Sequence, residues 1–207
     1  MVLLEHEGDR PVVSASAYIA PTAVVCGDVF VADDVRILFG AVVTADGGPV
    51  RIGRSCIVME NAVIRGRANH PAEVGNNVLI GPHAHVNGAT LEDFAFLATG
   101  TSVFPGARVG AGAEVRINGV VHVNSHVLPG STVPIGWVAV GRPAQMFPPN
   151  EHDRIASIQR TLDFVGTTYG ISPSDDVAEE MRQITGRYVE LFGTHRHDHP
   201  IRRSNGA

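Results

Sequence analysis

The chain has little cysteine, few aromatic residues, no long apolar run and no concentration of positive charge. Cys26 and Cys56 are the two thiols in 207 residues, too few for a disulfide framework. No stretch approaches the roughly 20 apolar residues that span a bilayer. Lys and Arg number 16 against 21 Asp and Glu, and they form no stripe. Neither nucleic acid nor a membrane is therefore expected as a partner. Residues 1–10 are too polar for a secretory signal, so a cytoplasmic protein is expected. Aromatics make up 6% of the chain, which argues against a core built on large rings.

What the chain has instead is glycine, 23 residues of it, and a 44% hydrophobic fraction at near-zero mean hydropathy. This is the composition of a globular domain with many short strands and tight corners.

The aliphatic residues are periodic. Val25, Val31, Ile37 and Val43 are six apart; so are Ile52, Val58 and Ile64, then Val74, Ile80 and Val86. The longest run is Leu91, Leu97, Val103, Val109, Val115, Val121, Val127 and Val133. Two residues before each aliphatic stands a small or β-branched residue, such as Ala41, Cys56, Ala62, Ala84 or Ala95. A period of six fits neither a 3.6-residue helix nor a hairpin meander. It fits a three-sided coil in which each side is a short strand and each corner a turn. The spacing of two returns to the same strand face, so both residues point into a narrow prism. Coils then stack about 4.8 Å apart through parallel ladders.

The register breaks in three places. Three residues are inserted between Val43 and Ile52, in Ala45-Asp46-Gly47-Gly48-Pro49, and four between Ile64 and Val74, including Asn69-His70-Pro71. One is missing between Val86 and Leu91. Insertions in a solenoid become loops, often at the working face. The expected division is a β-helix domain over 1–147, with repeats over about 12–140, and a helical appendage over 148–207. Ile155, Ile158, Leu162 and Val165 fall at helical spacing. After the break at Gly170 and Pro173 come Ser174 or Asp175 as N-cap and a second stripe, Val177, Met181, Ile184, Tyr188 and Phe192. Both stripes are expected to pack along the prism or on a neighbour. The tail 194–199 contains three histidines and suits metal, but a frayed, solvated terminus is the expectation.

Residues Val24–Ala144 resemble the γ-class carbonic anhydrases of the hexapeptide-repeat superfamily. The resemblance rests on Gly27-Asp28-Val29, Phe39-Gly40-Ala41-Val42-Val43, Ile52-Gly53, Glu60-Asn61-Ala62-Val63-Ile64, Val74 through Gly81, and Val140-Gly141-Arg142-Pro143-Ala144. It implies a left-handed parallel β-helix, although parallel crossovers are otherwise nearly always right-handed. It also implies a homotrimer with its pocket between subunits. In active members three histidines hold zinc. The matching positions here are Arg65, Pro82 and Asn87, the last two within Gly81-Pro82-His83-Ala84-His85-Val86-Asn87-Gly88. Arg only donates, Pro has no ligand atom and Asn is a weak one, whereas catalytic zinc takes about three N, S or carboxylate ligands. The family's Arg-Gly-Asp reads Thr44-Ala45-Asp46, and its Gln-Asp-Asn reads Met59-Glu60-Asn61. No metal and no other cofactor are expected.

The expectation is a metal-independent enzyme that acts on a small anionic, carboxylate-type substrate by proton transfer. Arg65 would bind the anion, with Asp46, His70, Thr44 and Met59 around it. His83 or His85 would serve as base or acid, Glu60 would orient it, and Asn87 would meet a carbonyl or oxyanion. Three alternatives stay open. In a CoA-dependent acyltransferase the ending Gly141-Arg142-Pro143-Ala144-Gln145 would replace the family's Gly-Asn-Pro-Ala-Lys. A non-catalytic scaffold or complex subunit would leave the pocket silent, with Arg65 paired to Glu60 or Asp46 across the subunit interface. A carbonic anhydrase with a metal site rebuilt from His83, His85, His70 or His122 is the third, although His83 and His85 alternate on a strand and cannot easily share one ion.

Overall fold

The structure of the protein, a computed structural model, describes residues 1–201. Its body is the three-sided prism that the period of six requires. Two faces are parallel sheets of seven strands, and the third is a sheet of ten. Strands of two to five residues alternate with corners, and each strand inside a face pairs with the strand one coil above and one below. Thus Val63–Arg67 lies between Val42–Asp46 and His85–Asn87. The architecture is mainly β: a left-handed parallel β-helix of hexapeptide repeats, followed by α-helices.

The periodic aliphatics fill the interior. Val43, Ile52, Val58, Ile64, Ile80, Val86, Leu97 and Val109 are completely buried, as are Ala41, Cys56 and Ala62 beside them. One cluster runs from Leu3 to Ala139, so the prism has a continuous core although no single coil could stand alone. Residues between the inward ones face outward. On Val63–Arg67 this leaves Arg65 and Arg67 on the outer surface, flanking buried Ile64 and Gly66.

Corners demand left-handed backbone, which explains several residues singled out by type. His83 has φ of 57° and sits one coil beyond Asn61 at 56°, its backbone N–H donating to the Glu60 carbonyl at 3.0 Å. Histidine is among the residues that tolerate this region. The insertions form their loops at one shared corner, pressed together. A Cβ on Gly48 would lie 2.0 Å from the Arg67 carbonyl oxygen, so only glycine allows the loop 46–49 to stack there.

The C-terminal segment forms three helices, α1 (His152–Gln159), α2 (Phe164–Tyr169) and α3 (Val177–Gly193). The stripe from Ile155 to Val165 is split between two of them because Asp163 takes left-handed backbone and accepts from the Gly166 N–H. The N-cap of α3 is Asp176, whose carboxylate accepts from Ala178 and Glu179, rather than Ser174 or Asp175. Of the expected stripe, Ile184, Tyr188 and Phe192 pack inward, whereas Val177 and Met181 are exposed. The segment packs along the chain's own ten-stranded face.

The tail departs from expectation. Thr194–His197 makes a 3-10 turn, and His199–Pro200 pairs antiparallel with Val2–Glu5 as the last strand of the ten-stranded sheet. It is docked because Val2–Glu5 presents an open ladder edge, which a passing strand satisfies. Residues 202–207 of the expected appendage lie outside the described residues.

Truncating a coil side tests the core. Ile80→Ala is expected to lower unfolding stability by about 3 kcal/mol, through lost transfer energy and a cavity in a prism too narrow to collapse. Equilibrium denaturation measures it, and an unchanged midpoint would contradict the packing.

Candidate functional site

The ten-stranded face carries one outward column of side chains that crosses the coils in register: Cys26, Thr44, Arg65 and Asn87. Phe104 and His122 continue the line, their rings stacked 5.9 Å apart. The positions that the family resemblance assigns to metal therefore include two register partners, Arg65 and Asn87. Alternation along the strands also puts Asp46, Arg67 and His85 on this face.

Asp46 is the electrostatic centre. It is only 3% exposed, yet it meets three groups. Thr44 donates its hydroxyl to Oδ1 at 2.5 Å, Arg65 Nε lies 2.8 Å from Oδ2, and His195 Nε2 lies 3.3 Å from Oδ1. The Arg65 contact is ionic rather than an aligned hydrogen bond, since Nε has no hydrogen-bond acceptor in line. Arg65 also lies over the Phe192 ring, 5.4 Å from its centroid, a cation–π contact. Its guanidinium is held from two sides, but among the described residues no hydrogen bond or ion pair engages its Nη atoms. Arg65 is 29% exposed, so that fork meets solvent. Beside it, Asn87 has its Oδ1 buried without a partner.

The C-terminal helices roof this column through a line of rings. His122 meets Phe164 at 5.5 Å, Phe164 meets Tyr169 at 5.9 Å, Tyr169 meets Tyr188 at 6.0 Å, and Tyr188 meets Phe192 at 5.1 Å. Arg67 ties the roof down by donating to the Thr168 carbonyl and approaching the Tyr188 hydroxyl. A groove of about 390 Å³ opens between α3 and the inserted loops, lined by Asp46, Arg67, Tyr169, Arg187 and Tyr188. Arg187 donates to the Gly170 carbonyl, so both guanidiniums there serve the roof.

The expected site residues fall into three places within one chain. Thr44, Asp46, Arg65, His85 and Asn87 share the ten-stranded face. Met59, Glu60 and His83 lie at or beside one corner of the prism, with His83 exposed. His70 lies at the other edge of that face, bridged to Arg67 and against Gly88. His122 is 8% exposed because Phe104 and Phe164 enclose it. Sequence reasoning missed His195 and Phe192 as neighbours of the column. Phe192 belongs to the helical stripe and His195 to the histidine tail, and local spacing does not report where either docks.

Histidine charge follows burial. Desolvation pulls His122 below the ordinary imidazole value, and its Nδ1 finds no partner. His85 is exposed at its outer edge, but desolvation against the sheet, then Arg65 and Arg67, shift it the same way. His70 is lowered by burial, then by Arg67 and Arg142. Cys26 is pushed up to about 12 by burial and by the Asp198 and Asp46 carboxylates, so its thiol stays protonated and is a poor nucleophile.

The fit to zinc at the family's positions fails on chemistry. A guanidinium paired with a buried carboxylate, a corner proline and one amide oxygen offer no ligand set for that ion.

The class defined so far is a hexapeptide-repeat β-helix with a self-roofed face. No family model matches the chain. In sequence, it is similar to γ-class carbonic anhydrases. It is 29% identical over 157 residues to the mitochondrial gamma carbonic anhydrase 1 of Arabidopsis thaliana, covering 73% of this chain and 55% of that one. It is 26% identical over 159 residues to a carbonic anhydrase of Geobacillus kaustophilus, covering 77% and 84%. The chain thus spans little more than half of the Arabidopsis relative. In structure it is similar to a suspected acetyltransferase of Bacillus cereus, with a TM-score of 0.54 at 20% identity, covering 90% of this chain and 95% of that one. That likeness concerns the fold. No helix among the described residues is long and apolar enough to cross a membrane.

The buried histidine yields a pH prediction. With its folded pKa depressed, His122 binds more protons in the unfolded state. Stability is therefore retained above the unfolded value of about 6.5 and falls as pH drops below it. Denaturation midpoints measured between neutral and mildly acidic pH are expected to fall, and His122→Phe is expected to reduce that slope. An unaltered slope would mean that His122 is protonated in place.

Proposed function

We propose that this protein is a γ-carbonic-anhydrase-like homotrimer that binds a small carboxylate-type anion through Arg65, with no metal at the family's zinc positions, and acts on it by acid–base chemistry. One observation carries the reading: the Arg65 guanidinium is fixed by Asp46 and Phe192 while its Nη atoms stay open to solvent. A preoriented planar fork suits a carboxylate, and its ordering is complete before the ligand arrives.

Neighbouring groups supply the rest. Asn87, beside Arg65 in register, has an unmatched amide oxygen that would accept from a ligand hydroxyl or N–H. His85 sits two residues earlier on the same face and is biased towards the neutral form, which a general base requires. Met59, Glu60 and His83 lie at a corner away from this cluster, so they would enter the pocket from a neighbouring subunit. His70, at the opposite edge, would border it. The family resemblance motivates the trimer, and light scattering measures it.

The anion test uses a variant that keeps the charge. Arg65→Ala strands the Asp46 carboxylate in a buried place, so it would report on folding as well as binding. Arg65→Lys can still face Asp46 but loses the fork. Calorimetric titration with bicarbonate and a panel of small carboxylates should detect binding to the native protein. The lysine variant should bind at least about tenfold more weakly, a loss of about 1.4 kcal/mol, with melting nearly unchanged. Equal affinity in both, or no carboxylate binding by the native protein, would sink the reading. Saturation by acetyl-CoA alone would favour the acyltransferase alternative. Silence towards every small molecule would favour a scaffold, and CO2 hydration would favour a rebuilt carbonic anhydrase site.

A further inference from the structure

A second cluster lies at the N-terminal end of the same face, where the tail returns to the first coils. His6 follows the first strand, Cys26 ends the second strand of the ten-stranded sheet, and His195 and Asp198 come from the docked tail. Some 170 to 190 residues separate the two halves, yet the four ligand atoms lie within 4.8 Å of one another. The Asp198 carboxylate is the hub. His6 Nδ1 lies 2.7 Å from Oδ1, His195 Nδ1 lies 2.9 Å from Oδ2, and Cys26 Sγ lies 3.5 Å from Oδ2. The two imidazoles stack at 4.3 Å. His6 and Cys26 are buried.

We propose that His6, Cys26, His195 and Asp198 form a site for one zinc-type divalent transition-metal ion, which staples the C-terminal tail onto the first coils of the β-helix. The chemistry is that of a closed structural site: two imidazoles, a thiolate and a carboxylate make a four-coordinate set. Bond lengths of about 2.0–2.3 Å place tetrahedral ligands closer together than the widest separation here, and the closure required is about 1 Å.

The outer nitrogens provide an independent observation. Each ring turns its Nδ1 towards Asp198 and its other nitrogen towards an oxygen. His195 Nε2 lies 3.3 Å from the buried Asp46 carboxylate, and His6 Nε2 lies 3.5 Å from the Thr194 hydroxyl. Ligating histidines are held this way, one nitrogen on the metal and the other on a carboxylate or hydroxyl that fixes the ring. Among the described residues, no other group of three or more His, Cys, Asp and Glu converges in this manner. Binding would release the thiol proton to solvent as the thiolate forms. The site is separate from the Arg65 fork, and Asp46 touches both, so the ion would also hold the roof over Arg65.

Cobalt reports the sulfur ligand directly. Full-length protein without an affinity tag is stripped with a chelator and titrated with Co2+ at constant neutral pH, with no carboxylate present. One equivalent per chain should produce a thiolate-to-cobalt charge-transfer band in the near ultraviolet, and Zn2+ should displace it. Cys26→Ser should remove the band. Asp198→Ala, in the tail outside the prism, should weaken Co2+ binding at least tenfold while the β signature in circular dichroism persists. Zn2+ should protect the C-terminal segment from limited proteolysis in the native protein but not in Asp198→Ala. A cobalt spectrum without the sulfur band, as chelation by His195, His197 and His199 alone would give, overturns the proposal. So does an Asp198→Ala protein that binds as tightly as the native one. Arg65→Lys should keep the band, so failure of the anion reading and failure of the metal site can be told apart.

Discussion

The structure depends on a single packing constraint: each side of each coil must place one aliphatic side chain into an interior shared by three walls. That interior admits Val, Ile or Leu with a small partner two residues earlier, including the small hydroxyl residues Thr101 and Ser125. Stacked coils extend the constraint along the axis, because every strand leans on the strands above and below for its hydrogen bonds. Once inward positions are fixed, alternation fixes the outward ones. Arg65, Thr44, Asn87 and Asp46 point out of the prism because Val43, Ile64 and Val86 point into it.

An outward column of this kind would ordinarily face water or another subunit. Here the chain covers much of it with its own C-terminal segment. The roof is aromatic in a protein otherwise poor in aromatics, and its rings touch in sequence from His122 to His195. Beneath it Asp46 survives burial because Thr44, Arg65 and His195 each meet an oxygen. Burying a carboxylate without such partners would cost several kcal/mol, on the order of the desolvation of one ion. The same residue thus orients a guanidinium on one side and an imidazole on the other. It links the anion-facing part of the column to the cluster at Asp198.

Sequence reading reached the prism because its signal is local and repeated. Each hexapeptide reports the same environment, so errors at single positions average out. The insertions at 45–49 and 69–71 were equally plain as breaks in register. Within the site, Arg65 and Asn87 could be paired from spacing alone, since register on a parallel ladder follows from counting. Asp46 could be placed near them for the same reason. The corner residue His83 was harder to read. Its left-handed backbone gives it a structural reason to lie outside the column, and residue type alone does not report φ.

The sequence by itself determined the coil, its core and the outward column, because a period of six translates directly into which side chains point in and which point out. Only the tertiary structure decided what covers that column. The docking of α3 and of residues 194–200 depends on which surface a helical stripe meets and on an open ladder edge at Val2–Glu5, and neither is written in local periodicity. For the same reason His6, Cys26, His195 and Asp198 read as four unrelated residues along the chain. They become a constellation only where the last strand returns to the first.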